Sequence, residues 1–496
     1  MTHSLSNSHS SRSLMLTIAL GTVALASAVA QTPSAATTAA TGCTSVINER
    51  AVARCLHEAR YTPAIPRLDD SHVYELPELI DIAESASPAG RIAWEQAKRS
   101  AEQAGIAKAE YLPLLTFVAE GSDARVIVPF PKPIAPIGYV TVEEPAAVAQ
   151  MELHYSLLDF GRRPRITASQ ANEIASTLHL SRVHQQIAFN TAIAFYRAQE
   201  AAAQLAAAKD ILETAKTLSS NAQSQFDQGR STLPDVQNAD AGAAEAAYSL
   251  TNAAGEVEKS KLALTETLGI EPTTRIEIAP PSTGNAEAFD KPVEEYLDVA
   301  WKSRPDLLAK VQALRAAKAE ARNAHSQYLP AVSLKASGGQ TSLWPTADYG
   351  ELGNASVSTW SAAVQLRWDV FNGARQHNVQ SANAEARAAA EEKREAQDAV
   401  THQVWDAYVE YHTSLEQERA AESYLKASQT SYDSSLDAFR YGVRSLVDVV
   451  EAERQLAQAR LASVKAYAHR QQSASALGYA IGSFTSYPSG ATGVHP

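Results

Sequence analysis

The sequence predicts a mainly α-helical fold with a small β part, in which long, coiled-coil-like helical hairpins are each preceded by a pair of strands. Three observations predict it. First, Phe226–Asp240 (FDQGRSTLPDVQNAD) returns 213 residues later, without a gap, as Phe439–Glu453 (FRYGVRSLVDVVEAE). Leu153–Arg162 matches Leu366–Arg375 at the same spacing, as do Leu264 and Gly269 with Leu477 and Gly482, so the chain is a tandem duplication. Second, a seven-residue stripe of small residues (Ile187, Ala194, Ala201, Ala208, Ala215, Ala222) runs along the segment before the first copy. Heptad spacing with small residues means close-packed, nearly parallel helices. Third, two segments alternate strictly between apolar and polar residues, the period of a strand.

Residues 1–30 read as a secretory signal. Arg12 precedes an apolar run from Leu14 to Ala26, and Ala28-Val29-Ala30 supplies a small-residue cleavage pattern. The remainder shows no apolar stretch of the roughly twenty residues a membrane helix needs. If the exported chain enters a membrane, it does so as strands. Residues 31–75 form a loosely structured leader with the only two cysteines, Cys43 and Cys55. Two readings of them stand: a disulfide, permitted outside the cytoplasm, or lipid modification of Cys43.

The first repeat is expected over 76–270. Helical pattern begins near Leu76-Pro77-Glu78, and a helix from about Ser87 ends at Tyr111-Leu112-Pro113. Its counterpart in the second repeat, 304–482, ends at Tyr328-Leu329-Pro330, an offset of 217. Met151, Leu153, Tyr155 and Leu157 then interleave with polar residues, as do Val364, Leu366, Trp368 and Val370. An apolar face opposite a polar one suits a membrane barrel with a wet lumen, and equally a soluble half-buried sheet. Ser122–Pro145 and Thr341–Ser356 read as long loops between strands. Long helices are expected at Arg162–Asp227, Ser231–Leu268, Arg375–Arg440 and Ser445–Ile481. The second-half stripe uses Val404, Tyr411, Leu425, Tyr432 and Phe439, with Ala407 and Ala421. Residues 271–303 link the repeats, and 483–496 form a tail. Gly229 and Gly442 are the breakers common to both tips, because glycine ends a helix at positive φ cheaply.

The chemistry of an enzyme is missing. There is no HExxH, no zinc spacing of Cys and His, no phosphate-cradling loop and no GxSxG elbow. His179 and His184 read as solvated. No cofactor or metal is expected, and a net charge of −12 argues against a nucleic-acid partner.

About four strands per chain cannot close a barrel, since membrane barrels need at least eight, and open edges cannot face lipid. A membrane barrel built from these strands has to be shared between chains, with the helices continuing as a hollow cylinder.

At this point the chain resembles the TolC-like outer-membrane efflux proteins, from about Leu76 to Gly482. The carriers are the two Tyr-Leu-Pro motifs, the junctions Leu158-Asp159-Phe160-Gly161-Arg162 and Phe371-Asn372-Gly373-Ala374-Arg375, and the two tips. The resemblance implies a homotrimer with a 12-stranded transmembrane β-barrel in the outer membrane and an α-barrel through the periplasm. It implies the exit duct of a tripartite efflux pump or type I secretion system, docked on a periplasmic adaptor (membrane fusion) protein and an inner-membrane transporter. Conduction would be passive and gated by the helix tips. Asp448 and Glu451 would ring the aperture, and three residues apart they share a helix face; the alternative is a solvated acidic face. Asp235 and Arg444 would belong to the polar links that hold the gate closed, although Phe439 stands where a Tyr hydroxyl joins such a link in the best-known member. Gly229 and Gly442 would lie where the adaptor docks, and the eight alternating apolar residues would face outer-membrane lipid. Two rivals are a periplasmic coiled-coil scaffold, which leaves the strands unexplained, and an uptake porin, which leaves the helices unexplained.

Overall fold

The computed structural model describes residues 72–132, 135–280, 289–348, 350–441 and 443–484. The signal segment, most of the leader with Cys43 and Cys55, Gly442 and the end of the tail lie outside these. The first repeat comprises β1 (Val73–Tyr74), α1 (Leu76–Ala86), α2 (Pro88–Ala109), β2 (Leu114–Pro129), β3 (Tyr139–Leu158), α3 (Arg162–Asp227) and α4 (Leu233–Leu268). After β4 (Glu277–Ile278), the second comprises α5 (Val293–Ser303), α6 (Pro305–Ser326), β5 (Ala331–Leu343), β6 (Thr346–Ala347), β7 (Gly350–Glu351), β8 (Ala355–Arg367), α7 (Ala374–Arg440) and α8 (Leu446–Ile481). The end of the leader pairs with the linker, β1 running parallel to β4.

The heptad stripe is the buried seam of α3: Ile187, Ala194, Ala201, Ala208, Ala215 and Ala222 are all buried. At 1.5 Å per residue α3 spans roughly 100 Å. In α7 the seam is partly serine. Ser414, Ser428 and Ser435 are buried seven or fourteen residues apart with Ala421 between them, and Ser414 Oγ meets Ser473 Oγ of α8 at 2.7 Å. A hydroxyl that bonds its own helix and its neighbour is small enough for the seam and leaves no polar group unpaired.

The two repeats build equivalent cores. Leu264 packs with Leu79, Ala83, Phe195 and Leu268. Its partner Leu477 packs with Leu297, Ala300, Val404 and Ile481. Both leucines are fully buried, so truncation of either to Ala should cost about 2–5 kcal/mol. Gly269 and Gly482 end α4 and α8 at φ +68° and +84°.

A polar knot joins the halves where α8 ends. Buried Arg304 donates to Ala480 O at 3.1 Å and to Asp306 Oδ1 at 3.0 Å. Arg182 of α3 lies 3.7 Å from the Tyr479 ring centroid, and Gln185 Nε2 donates to Gly482 O at 3.0 Å. Burial pushes the Asp306 carboxyl up, but Arg304 and Arg182 outweigh it and hold the group below the usual range.

The long strands form an antiparallel sheet in the order β2-β3-β5-β8, and they reach further than the sequence suggested. Most of Ser122–Pro145 is strand: β2 and β3 pair without interruption from Leu114↔His154 to Pro129↔Tyr139. The intervening residues alternate weakly, which hid them. The second expected loop, Thr341–Ser356, holds the short β6 and β7 as well as strand ends.

Candidate gate and membrane wall

Directly paired residues of an antiparallel sheet share a face, so the register assigns the two faces of the sheet. Phe117, Met151, Gly338 and Trp360 form one row, and Leu115, Leu153, Ala336 and Ala362 the next. Tyr155, Leu334 and Val364 follow, then Leu158, Val332 and Leu366. The opposite face carries Thr116, Glu152, Ser337 and Ser361, then His154 and Lys335, then Ser156, Ser333 and Gln365. Five of the eight residues expected on the apolar face, Met151, Leu153, Tyr155, Val364 and Leu366, therefore fall on one face.

The other three sit differently. A β-bulge between Ser156 and Leu158 sets Leu158, not Leu157, opposite Val332, and an inserted residue breaks the two-residue alternation. Trp368 and Val370 lie beyond Arg367, where β8 ends, and Trp368 Nε1 donates to Tyr328 O at 3.2 Å. Towards the far end of the β2–β3 hairpin the faces exchange character. Asp123, Arg125 and Glu143 take the formerly apolar face, while Val140 and Val142 pack with Ala135, Val128 and Ala347 on the other.

The sheet passes into helices through matched junctions. Asp159 Oδ1 accepts from Gly161 N at 2.8 Å, and Arg165 Nη2 reaches both Asp159 and Glu110 at 2.6 Å. A Cβ on Gly161 would lie 2.6–2.8 Å from Arg165 Nη1, Asn323 Oδ1 and Ser326 Oγ, so a larger residue there would push these side-chain ends aside. Arg162 and Arg375 are buried, and each donates through Nη2 to a main-chain carbonyl six residues earlier, Ser156 and Asp369 respectively.

At the opposite ends of the helices, Gly229 turns the first hairpin at φ +72°. Arg230 N donates to Gln225 O at 2.8 Å, and the second tip repeats the bond from Val443 N to Ala438 O at 2.8 Å. The hairpins pack together there: Leu218, Ala222, Val236 and Ala239 form one cluster with Leu446 and Val449, and Phe439 packs against it.

The matched aspartates have a local role that the sequence reading missed. Asp235 Oδ2 accepts from Thr232 N at 2.9 Å and Thr232 Oγ1 at 2.6 Å, and Asp448 Oδ2 accepts from Ser445 N at 3.1 Å and Ser445 Oγ at 2.8 Å. Both are capping boxes, a hydroxyl residue and an acid three positions on satisfying each other's amides. The signal was present as Thr-Leu-Pro-Asp and Ser-Leu-Val-Asp. These hydroxyl bonds hold both carboxyls below the usual range. Asp448 and Glu451 are exposed, and Arg444 Nη1 donates back to buried Ser435 at 3.2 Å. Arg444 and Asp235 share no bond within one chain. Glu453 was also missed: burial pushes its carboxyl up, against Arg454 and Arg460. Among the described residues no cluster of His, Cys, Asp and Glu could hold a metal ion.

Comparison with known proteins decides the family. The model for outer membrane efflux proteins matches residues 79–270 and 296–483, one match per repeat. The chain belongs to the outer membrane efflux protein family. Members of this family are TolC-like ducts of the outer membrane that extend into the periplasm and carry out no enzymatic reaction. Protein CyaE of Bordetella pertussis is 28% identical over 325 residues, covering 65% of each chain. Cation efflux system protein CusC of Escherichia coli is 24% identical over 60% of this chain and 64% of its own. The chain thus spans about two thirds of the curated relatives it matches. Among solved structures, the outer membrane protein VceC of Vibrio cholerae superposes with a TM-score of 0.69 at 20% identity, over 82% of this chain and 96% of VceC. A structure of CusC gives 0.69 at 21% identity, over 82% and 92%. No helix among the described residues is long and apolar enough to cross a membrane.

Proposed function

We propose that this efflux-family protein is a homotrimeric exit duct of a tripartite efflux pump or type I secretion system, conducting passively from the periplasm and gated at its helical tips. The observation that carries the reading is a mismatch within one chain. Four long strands leave two open edges, while the helices they feed extend roughly 100 Å. Open edges are excluded from lipid, and three chains supply twelve strands, an ample number for a closed barrel.

In this reading, Met151, Leu153, Tyr155, Val364 and Leu366 face lipid and Glu152, His154 and Lys335 face the lumen. Asp448 and Glu451 from three chains ring the aperture. Arg444 and Asp235, unlinked within a chain, latch across tips, and Gly229 and Gly442 sit where a periplasmic adaptor docks. An inner-membrane transporter supplies the energy and selects the cargo.

Planar-bilayer recording on purified protein, paired with a charge scan of the sheet, tests this. Discrete channel openings are expected. Leu153→Arg should impair assembly, at about 2–4 kcal/mol for a charge near mid-membrane, whereas Glu152→Arg should assemble and alter only conduction. Equal impairment by both, or a silent bilayer, would overturn the reading.

A further inference from the structure

The duplication assigns the seam between neighbouring chains residue by residue, an inference that rests on the shared-barrel reading above. The two hairpins are register-identical. Within the first repeat Leu114 pairs with His154, and within the second Ala331 pairs with Arg367, the same pair displaced by the two repeat offsets of 217 and 213. The seam between repeats is also on the page: β3 pairs with β5, from Ala146↔Leu343 to Leu158↔Val332. Displaced by one repeat, that seam becomes β8 against a β2 that the chain itself has already used elsewhere. The geometry points to β2 of a second copy, held in one register: Gln365 opposite Glu120, Arg367 opposite Val118, Asp369 opposite Thr116.

An independent observation supports this. β3 runs to Leu158, but β8 stops at Arg367, four residues short of the equivalent Phe371. The last residues of β3 are those whose partners lie on β5; the last residues of β8 lack such a neighbour. Their anchor is nevertheless in place. Arg375 donates to Asp369 O as Arg162 does to Ser156 O, one repeat apart. That bond holds the segment beyond β8 at Asp369, and in the assembly β8 extends to Phe371 along its new neighbour.

The register also accounts for the large apolar groups exposed at both edges. It sets Trp368 beside Phe117 and Phe371 beside Leu115, residues that are 55%, 65%, 91% and 59% exposed in one chain. It sets Trp360, 82% exposed, beside Arg125, where a cation over an indole face is favourable. A shift of one residue would exchange the two faces along the whole seam.

Cysteine cross-linking tests the register. In a chain carrying Cys43→Ser and Cys55→Ser, two double substitutions place cysteines opposite each other, Thr116→Cys with Asp369→Cys and Glu120→Cys with Gln365→Cys. A third, Val118→Cys with Gln365→Cys, is displaced by two residues. On oxidation in outer-membrane preparations, the first two should convert monomer into covalent trimer on denaturing gels and the third should not. Native mass measurement of the same proteins before oxidation separates the two levels of failure. A monomer would overturn the shared barrel itself. A trimer that cross-links at Val118/Gln365 in preference, or at neither matched pair, would overturn this register and leave the trimer standing.

Discussion

The guanidinium of Arg162 lies over the ring of Tyr111, 5.0 Å from its centroid, and Arg375 repeats the relation over Tyr328 at 4.9 Å. Two short motifs that stand 51 residues apart in the first repeat and 47 in the second are thereby one structural device. The Tyr of Tyr-Leu-Pro covers the Arg that starts the next long helix, and that Arg grips the end of the strand between them. Arg162→Lys should lose both the planar stacking and the Nη2 bond to Ser156 O. With a desolvated cation–π contact worth up to about 2 kcal/mol, it should lower the heat-dissociation midpoint of the assembly, whereas Tyr111→Phe should leave it nearly unchanged. Equal midpoints for Arg162→Lys and the native chain would show that the pairing carries no stability.

The α7/α8 seam holds an ion pair, Arg470 Nε to Glu418 Oε2 at 2.5 Å, where the first repeat has Leu205 and Val257. Both side chains are largely buried, and burial pushes the Glu418 carboxyl up against the opposing pull of Arg470. Removing one partner strands a charge at a cost of about 3–5 kcal/mol, while replacing both by apolar residues is neutral or stabilising. Glu418→Leu should therefore destabilise, and Glu418→Leu with Arg470→Val should restore or exceed native stability. Chemical unfolding in detergent reads both. A double variant weaker than the single would show that the pair stabilises the seam beyond its packing.

The capping boxes make the tips acid-sensitive in a defined direction. Asp235 and Asp448 are held below their ordinary range by the Thr232 and Ser445 hydroxyls. A depressed carboxylate contributes stability that is present above the unfolded value, about 3.9, and is lost as pH falls through the folded value. Amide exchange at Val236 and Val449 should speed up relative to mid-helix amides only below about pH 4. Faster relative exchange already at pH 6 would assign the sensitivity to another group.

Most of the architecture was legible because helices and repeats write long periodic signals. The boundaries of α3 and α7 follow from the Ala-rich runs, and the apolar rows around Leu153 and Val364 follow from strict alternation. What was not legible depended on single insertions and on partners distant in sequence. One bulge residue moved Leu157 out of the row, buried serines at 414, 428 and 435 do not look like a core, and Arg304 reads as an ordinary surface charge until Asp306 and Ala480 surround it. At the tips, the family resemblance points to Asp448 and Glu451 and the repeat match to Asp235, yet the match of the two aspartates is accounted for by helix capping. Glu451, without a match or a cap, is the cleaner probe of an aperture.

Glu451→Gln should weaken cation selectivity and block by trivalent cations while leaving the α8 start intact, since rings of carboxylates favour cations where low-dielectric walls focus their field. Asp448→Ala should act on both selectivity and the helix start. Arg444→Ser should instead raise conductance, because under the proposed gating it removes a latch and no ring charge. Single-channel recording separates these outcomes. Unchanged selectivity in Glu451→Gln together with Asp448→Ala would show a solvated helix face.

The central claim is that one chain supplies a third of a shared wall. Native mass measurement of the detergent-extracted outer-membrane protein tests it most directly. Three copies of the mature chain, dissociating without a folded, membrane-inserted monomer, is the predicted result. A monomer that remains inserted and conducts ions would contradict the account.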